Sequence, residues 1–510
     1  MVLTGLFFKS SFIVGMGGAQ LLSVAFGRAW ARLSVTHLRA SGFEMVWLVG
    51  ERATQIQRDQ RVVIRAELRN RSDSDMRGAS FRPIASSHLK VRSLSTEVDL
   101  PAHSSTHIDV EVSSGRIGRW GLHGIALEVT DTPLGGEGLY EVPLLFANPH
   151  GIEVVPRALE RWNRSIKGGR SRHASSTGAH GRRRGEGDDL RELRDHVPGD
   201  AFKRIAWKAS ARRGRLMVRE TEQSEREVVW LVVDVSAEGW AGEDGSAPLD
   251  LVAEEAISEA AFHVSRGNSI GVVLFASRVR TWLEPDSSPK HVSKIASALA
   301  SSSTLVDSDR TSLDETDIAK RVAEHLRPLD PRGLSGIPKE GLSELADRAD
   351  EVRKKAPFSP RAPFAATSRD QRLRHYLAAF GIDVPPSLQG EAPVAGPMLF
   401  DVLDLIARDA SKPSSVVIWA PVPKRDERSQ RSVAHLKRRH IAIEWRTRDL
   451  VHTVDRALAT VHGPFEESIR NAVIARAEVD ATRSKERLQA LGVRYAVRRG
   501  SRRPTHEVAK

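Results

Sequence analysis

Asp234, Ser236 and Glu238 stand at the end of an apolar run, Val228 to Val233, and are the residues best placed by type and spacing to do chemistry. A continuous apolar run of that length fits a parallel strand covered on both faces. In an open α/β sheet, ligands gather at the carboxyl ends of strands, so a carboxylate and a hydroxyl there resemble the start of a loop for a hard cation such as Mg²⁺. The alternative is structural: Asp234 and Ser236 cap the next helix and satisfy loop amides.

The segment before that strand carries most of the remaining signal. Val197-Pro198-Gly199-Asp200 predicts a tight turn, with Asp200 as helix N-cap. A helix is expected over residues 201–213, ended by Gly214. Phe202, Ile205, Ala206 and Ala209 recur at i, i+3, i+4 and i+7 as a buried stripe, and Lys203, Arg204, Lys208, Arg212 and Arg213 take the other positions. The basic face could meet nucleic acid phosphates. Asp188, Asp189, Glu192, Asp195, Asp200 and Glu220 lie close by, however, and alternating signs favour pairing within the chain. Trp207 lies off the stripe and is expected to pack on a neighbouring sheet.

The elements that must position these residues alternate along the chain. Between residues 50 and 156, short runs such as RVVIRAEL, STHIDVEV, GIALEVT and YEVPLLF alternate apolar and polar residues, which predicts a small all-β sandwich. From residue 228 to 510, strand-like runs at 270–275, 416–419 and 441–445 alternate with helical patterns, which predicts a doubly wound, mainly parallel α/β sheet. Residues 329–413 break that rhythm with amphipathic patterns and are expected to form a helical insertion.

The order PGD, then RIAWKASARRGRLMVRE, then an apolar strand ending DVS resembles the bacterial family called domain of unknown function 58. The signature positions are Pro198, Gly199, Asp200, Arg204, Ile205, Trp207, Ala211, Arg212 and Leu216, and His196 stands where the family usually has tyrosine. The run from Ser113 to Tyr140 looks like the family's glycine-rich strand pair. The resemblance implies a von Willebrand factor A-like α/β domain and work beside a MoxR-type AAA+ ATPase and its client proteins. It also implies a degenerate metal-ion-dependent adhesion site of Asp234, Ser236, Glu238 and Thr316. Glu238 takes the place of a second serine, Thr316 is the candidate threonine, and Trp419-Ala420-Pro421 lacks the expected aspartate. Mg²⁺ is the only cofactor with any claim on this set, and none is expected to be bound.

Composition narrows the field. In 510 residues, 77 Lys+Arg against 65 Asp+Glu give a net charge of +12, and much of the excess lies in a Gly/Ser-rich linker over 157–187. With no cysteine there are no disulfides and no thiolate chemistry. His435 and His440 read as surface residues, and no P-loop, GxSxG or HExxH arrangement is present. Residues 1–49 are read as a membrane segment and a juxtamembrane helix: residues 5–26 are mostly apolar and Arg28, Arg32 and Arg39 follow, so the bulk of the chain would stay on the cytoplasmic side of an inner membrane. The expected protein is a non-enzymatic, membrane-anchored adaptor. Its rivals are a nucleic-acid binder using the linker and basic helix, and a metal-dependent hydrolase at Asp234.

Overall fold

The computed structural model describes residues 10–40, 43–73, 75–95, 98–129, 140–158, 184–185, 189–198, 200, 202, 205–222, 227–338, 341–387, 390–409, 411, 413–422, 427–448 and 466–498. The basic linker lies almost wholly outside them, as do residues 1–9, Gly199, Lys203 and Arg204.

Helix α1, Ser11–Ala40, leads into an all-β region. No helix among the described residues is long and apolar enough to cross a membrane, because Gly, Ser and Arg dilute α1. The β region comprises β1 (Phe43–Trp47), β2 (Ala53–Gln57), β3 (Val62–Asn70), β4 (Met76–Ala85), β5 (Lys90–Ser93), β6 (Val98–Leu100), β7 (Ser105–Ser113), β8 (Gly118–Val129) and β9 (Tyr140–Val155). Two sheets form, in the orders β1-β3-β7-β5 and β2-β9-β8-β4-β6. Alternation in β3 and β7 turns Ile64, Leu68, Ile108 and Val110 inward against Trp120, Leu122 and Ile152 of the other sheet. The glycine-rich pair is β8 and β9, antiparallel.

A small sheet follows, β10 (Arg184–Gly185), β12 (Met217–Glu222) and β11 (Asp189–Asp195) in that order, with helix α2, Trp207–Arg213. Here the structure corrects the expected signature helix. It begins at Trp207, not 201, and its N-cap is Ala206 without a side-chain cap bond. Asp200 instead closes the turn: its Oδ2 accepts the Val197 amide at 2.9 Å while its own amide donates to Val197 O at 3.1 Å. Ile205 is held in a bridge to Val218 and the Ala206 amide donates to Met217 O at 2.8 Å, so pairing with β12 outcompetes the helical turn. Ile205, Ala206 and Met217 are buried, whereas Phe202 is 78% exposed and Trp207, expected to pack, is 61% exposed. Phe202→Ala should therefore change stability by no more than about 0.5 kcal/mol, and Ile205→Ala should cost about 2–5 kcal/mol. Urea unfolding of the two variants checks this, and the reverse order would restore the original stripe.

The main sheet has six strands: β13 (Val228–Asp234), β14 (Ser269–Phe275), β15 (Val279–Asp286), β16 (Ser415–Trp419), β17 (Ala442–Arg448) and β18 (Arg494–Arg498). Their order is β15-β14-β13-β16-β17-β18, parallel throughout except at the β14–β15 edge. Helices α3 (Pro248–Ser265) and α4 (Pro289–Ser301) cover one face, sharing a core with Leu231 and Val233. Helix α9 (Ala392–Arg408) and helix α10 (Glu427–Arg438) cover the other, around Trp230, Val232 and Trp445. Both faces being covered explains the unbroken apolar run of β13. Between them come α5 (Glu315–Leu329), α6 (Pro331–Leu334), α7 (Leu342–Arg353) and α8 (Ser368–Phe380), with their own core of Ile318, Val322, Ala346, Leu373, Leu377 and Phe380. Helix α11, Glu466–Ala490, packs before β18.

The sandwich is joined to the main sheet by buried charges. Arg58 of the loop after β2 pairs with Glu254 of α3 at 2.9 Å and donates to Gly245 O at 3.0 Å. Asp250 of α3 accepts the Ile117 amide at 3.0 Å, and burial pushes its carboxyl up to about 6 against the opposing effect of that bond. The helical insertion touches the same sandwich edge: Gly381, at φ 65°, lies so close to the Trp120–Gly121 backbone that a Cβ would meet it at 2.8 Å.

Candidate functional site

The strand order reverses between β13 and β16, so the crevice above their carboxyl ends is where a ligand site is expected. Asp234 ends β13 there. Its Oδ1 accepts the Ser236 amide at 2.9 Å and also the Ser236 hydroxyl, so the carboxylate closes its own loop. Burial lifts the Asp234 carboxyl above its ordinary range, the Ser236 bonds pull it back, and Glu238 and Glu391 push it up again.

The cation-like centre of this crevice is a guanidinium. Arg310, from the loop between α4 and α5, is 2% exposed and donates to Val235 O at 2.6 Å, Ser302 O at 2.9 Å, Thr304 O at 3.2 Å and Glu391 Oε2 at 3.2 Å. Burial pushes its pKa down, Glu391 pulls it up, and arginine stays charged. Glu391, 1% exposed, sits just before α9 and accepts the Ala237 amide at 2.7 Å, the first residue of the 3₁₀ turn after Ser236. Its other oxygen takes Arg280 at 3.0 Å and the Ser277 hydroxyl at 3.4 Å.

The network extends outward. Arg280 reaches Asp307 at 2.7 Å and Asp309 at 3.1 Å, and Arg278 pairs with the same two carboxylates while lying 4.1 Å over the Phe364 ring. Burial opposes ionisation of Asp309, but the Ser277 hydroxyl and the two arginines hold its pKa below the ordinary value. Burial and the neighbouring Arg280 push Arg278 down.

Of the residues read from the sequence, Asp234 and Ser236 stand at the crevice in direct contact. Glu238 is exposed on the 3₁₀ turn and lies against Gly390, whose φ of 71° and missing Cβ leave room for the carboxylate. Thr316 stands exposed in the first turn of α5, whose cap is Asp314 accepting the Asp317 amide at 2.8 Å. Ala420 offers its carbonyl to Trp445 Nε1 at 2.8 Å. Among the described residues no group of three or more His, Asp or Glu side chains could hold a metal ion. Arg280, Arg310, Asp307, Asp309 and Glu391 were not singled out from the sequence. The only signal was charge density, in Ser277-Arg278-Val279-Arg280 directly after a buried strand and in Asp307-Ser308-Asp309-Arg310.

Residues 192–356 match the family model described as protein of unknown function DUF58, and this part of the chain is similar to that family. No protein of curated function matches. Among solved structures, the chain is similar to the ASH/PapD-like domain of human CEP192, at 9% identity over 23% of this chain and 87% of that one, TM-score 0.17. It is similar to the secreted serine protease VesC from Vibrio cholerae, at 9% identity over 26% of each chain, TM-score 0.17. It is also similar to the conserved hypothetical protein BatB from Bacteroides thetaiotaomicron, at 12% identity over 44% of this chain and 67% of that one, TM-score 0.17. With TM-scores this low, none of the three decides anything about fold or function here.

Proposed function

We propose that this chain is a non-enzymatic adaptor, with a von Willebrand factor A-like α/β domain, that works with a MoxR-type AAA+ ATPase on client proteins at the inner membrane. The observation that carries the non-enzymatic part is Arg310. With Arg310 bonded to Glu391 and three carbonyls, and Arg280 and Arg278 set against Asp307 and Asp309, three carboxylates at the crevice already have cationic partners. A hydrolase would need an open metal position there. The strand order β15-β14-β13-β16-β17-β18 supports the von Willebrand factor A-like reading, and the family supports the ATPase. Membrane attachment is supported by α1, which leaves Phe12, Leu21, Leu22 and Phe26 exposed and has no acid in its first turn.

Two measurements test this. The purified full chain should retain a MoxR-type ATPase from the same genome through gel filtration, and failure to do so at micromolar concentrations would sink the partnership. Calorimetric titration with Mg²⁺ should give no saturable heat; a low-micromolar dissociation constant lost in Asp234→Ala would overturn the reading of the metal site as degenerate.

A further inference from the structure

The body formed by β10, β11, β12 and α2 is closed on a very small core of Ile205, Ala206, Met217 and Val218, with the Ser210 hydroxyl bridging Ala206 O at 3.0 Å and the Met217 amide at 2.8 Å. Its outside is apolar to a degree that solvent does not favour. Phe202, Trp207, Val197 and Leu216 are all exposed within one stretch of twenty residues. Four large exposed apolar side chains this close in sequence, unlike scattered surface leucines, favour an interaction site.

Charge says which partner fits. On α2, Trp207 and Ala211 form one exposed row and Lys208 and Arg212 the adjacent one, at i and i+4. Arg215 is paired with Asp195 at 2.9 Å, but Lys208, Arg212 and Arg213 have no carboxylate partner among the described residues. Among the described residues, α2 therefore presents Trp207 beside cations that no described carboxylate pairs.

We propose that this face is a docking surface for an acidic segment of another protein that carries apolar anchors. The proposal rests on the adaptor reading above and names the chemistry of the partner. A second copy of this chain brings net charge +12, and the adjoining residues 164–187 are themselves basic, so neither complements the face. A single-stranded nucleic acid would call for a groove of cations tracking its backbone. Here the segment from Val197 to Leu216 carries four large exposed apolar side chains together with three cations on α2, the composition of a protein hot spot.

The test uses the full chain and fluorescence anisotropy with three labelled probes: a synthetic 15-residue peptide of alternating Glu and Leu/Phe, the same peptide with Lys for Glu, and a 15-mer of deoxythymidine. The acidic peptide should bind saturably, and Trp207→Ala and the double change Lys208→Glu/Arg212→Glu should each weaken it at least tenfold without lowering the melting temperature. Equal binding of both peptides, no binding of the acidic one, wild-type affinity in both variants, or preference for the oligonucleotide would each overturn the proposal. Retention of the ATPase, measured in parallel, separates the two readings. If Trp207→Ala retains it as wild type does and also keeps its peptide affinity, the surface is wrong and the adaptor stands. If wild type binds the peptide but not the ATPase, the ATPase partnership fails and the surface stands.

Discussion

Replacing Arg310 by alanine is expected to cost about 3–5 kcal/mol of folding stability, the range for removing one member of a buried ion pair. The loss has two sources. Among the described residues Glu391 would keep only Arg280 as a charged partner, and the carbonyls of Val235, Ser302 and Thr304 would lose a donor that water cannot replace there. Arg310→Met with Glu391→Met should recover part of the loss, because an apolar pair of similar volume no longer buries a lone charge. Chemical denaturation decides the matter. A cost below about 1 kcal/mol for Arg310→Ala would mean that the crevice is solvated and open to a ligand.

The second large effect is acid lability. His123 on β8 and His325 on α5 lie 3.1 Å apart, ring nitrogen to ring nitrogen, and join Ser86 at one end to the Tyr376 hydroxyl at the other, 2.8 Å from His325. Burial pushes His123 down to about 4, and burial together with His123 holds His325 well below its ordinary value. The folded chain therefore keeps both rings neutral, while the unfolded chain takes up protons near the ordinary histidine value of about 6.5. The resulting stability is complete above about pH 6.5 and is lost as pH falls through about 4. For His123 the full span is about 3 kcal/mol. Denaturation midpoints measured from pH 7.5 to 4.5 should fall steeply in the wild type and less in His123→Gln. Parallel curves for the two proteins would show that the pair does not drive the transition.

The broad division into an N-terminal all-β region and a mixed α/β region was legible because burial leaves a period in the sequence. Ile64 and Leu68 alternate with less buried residues, and Val229 to Val233 do not alternate because both faces are covered. The signature helix was misread for a reason the sequence hides. The spacing of Phe202, Ile205 and Ala209 suits a helix, but the partner that claims Ile205 is a strand twelve or more residues on, and local periodicity carries no information about it. The crevice was half legible. Asp234 and Ser236 sit beside each other in sequence and could be read, whereas Arg310 and Glu391 are 81 positions apart and meet only through the fold.

The place of β13 at the middle of its sheet has a consequence for how the chain must be made. One side of β13 is covered as soon as β14 emerges, but the other waits for β16, which begins about 180 residues after Asp234. At roughly 5–20 residues per second on the ribosome, that edge stays open for about 10–40 s. During that interval Trp230, Val232 and the strand's unpaired amides form an adhesive edge, and the helices α5 to α8 are synthesised before the strand that seals it. Growth at high translation load should therefore drive this protein into aggregates through one strand, long before its finished form shows any weakness.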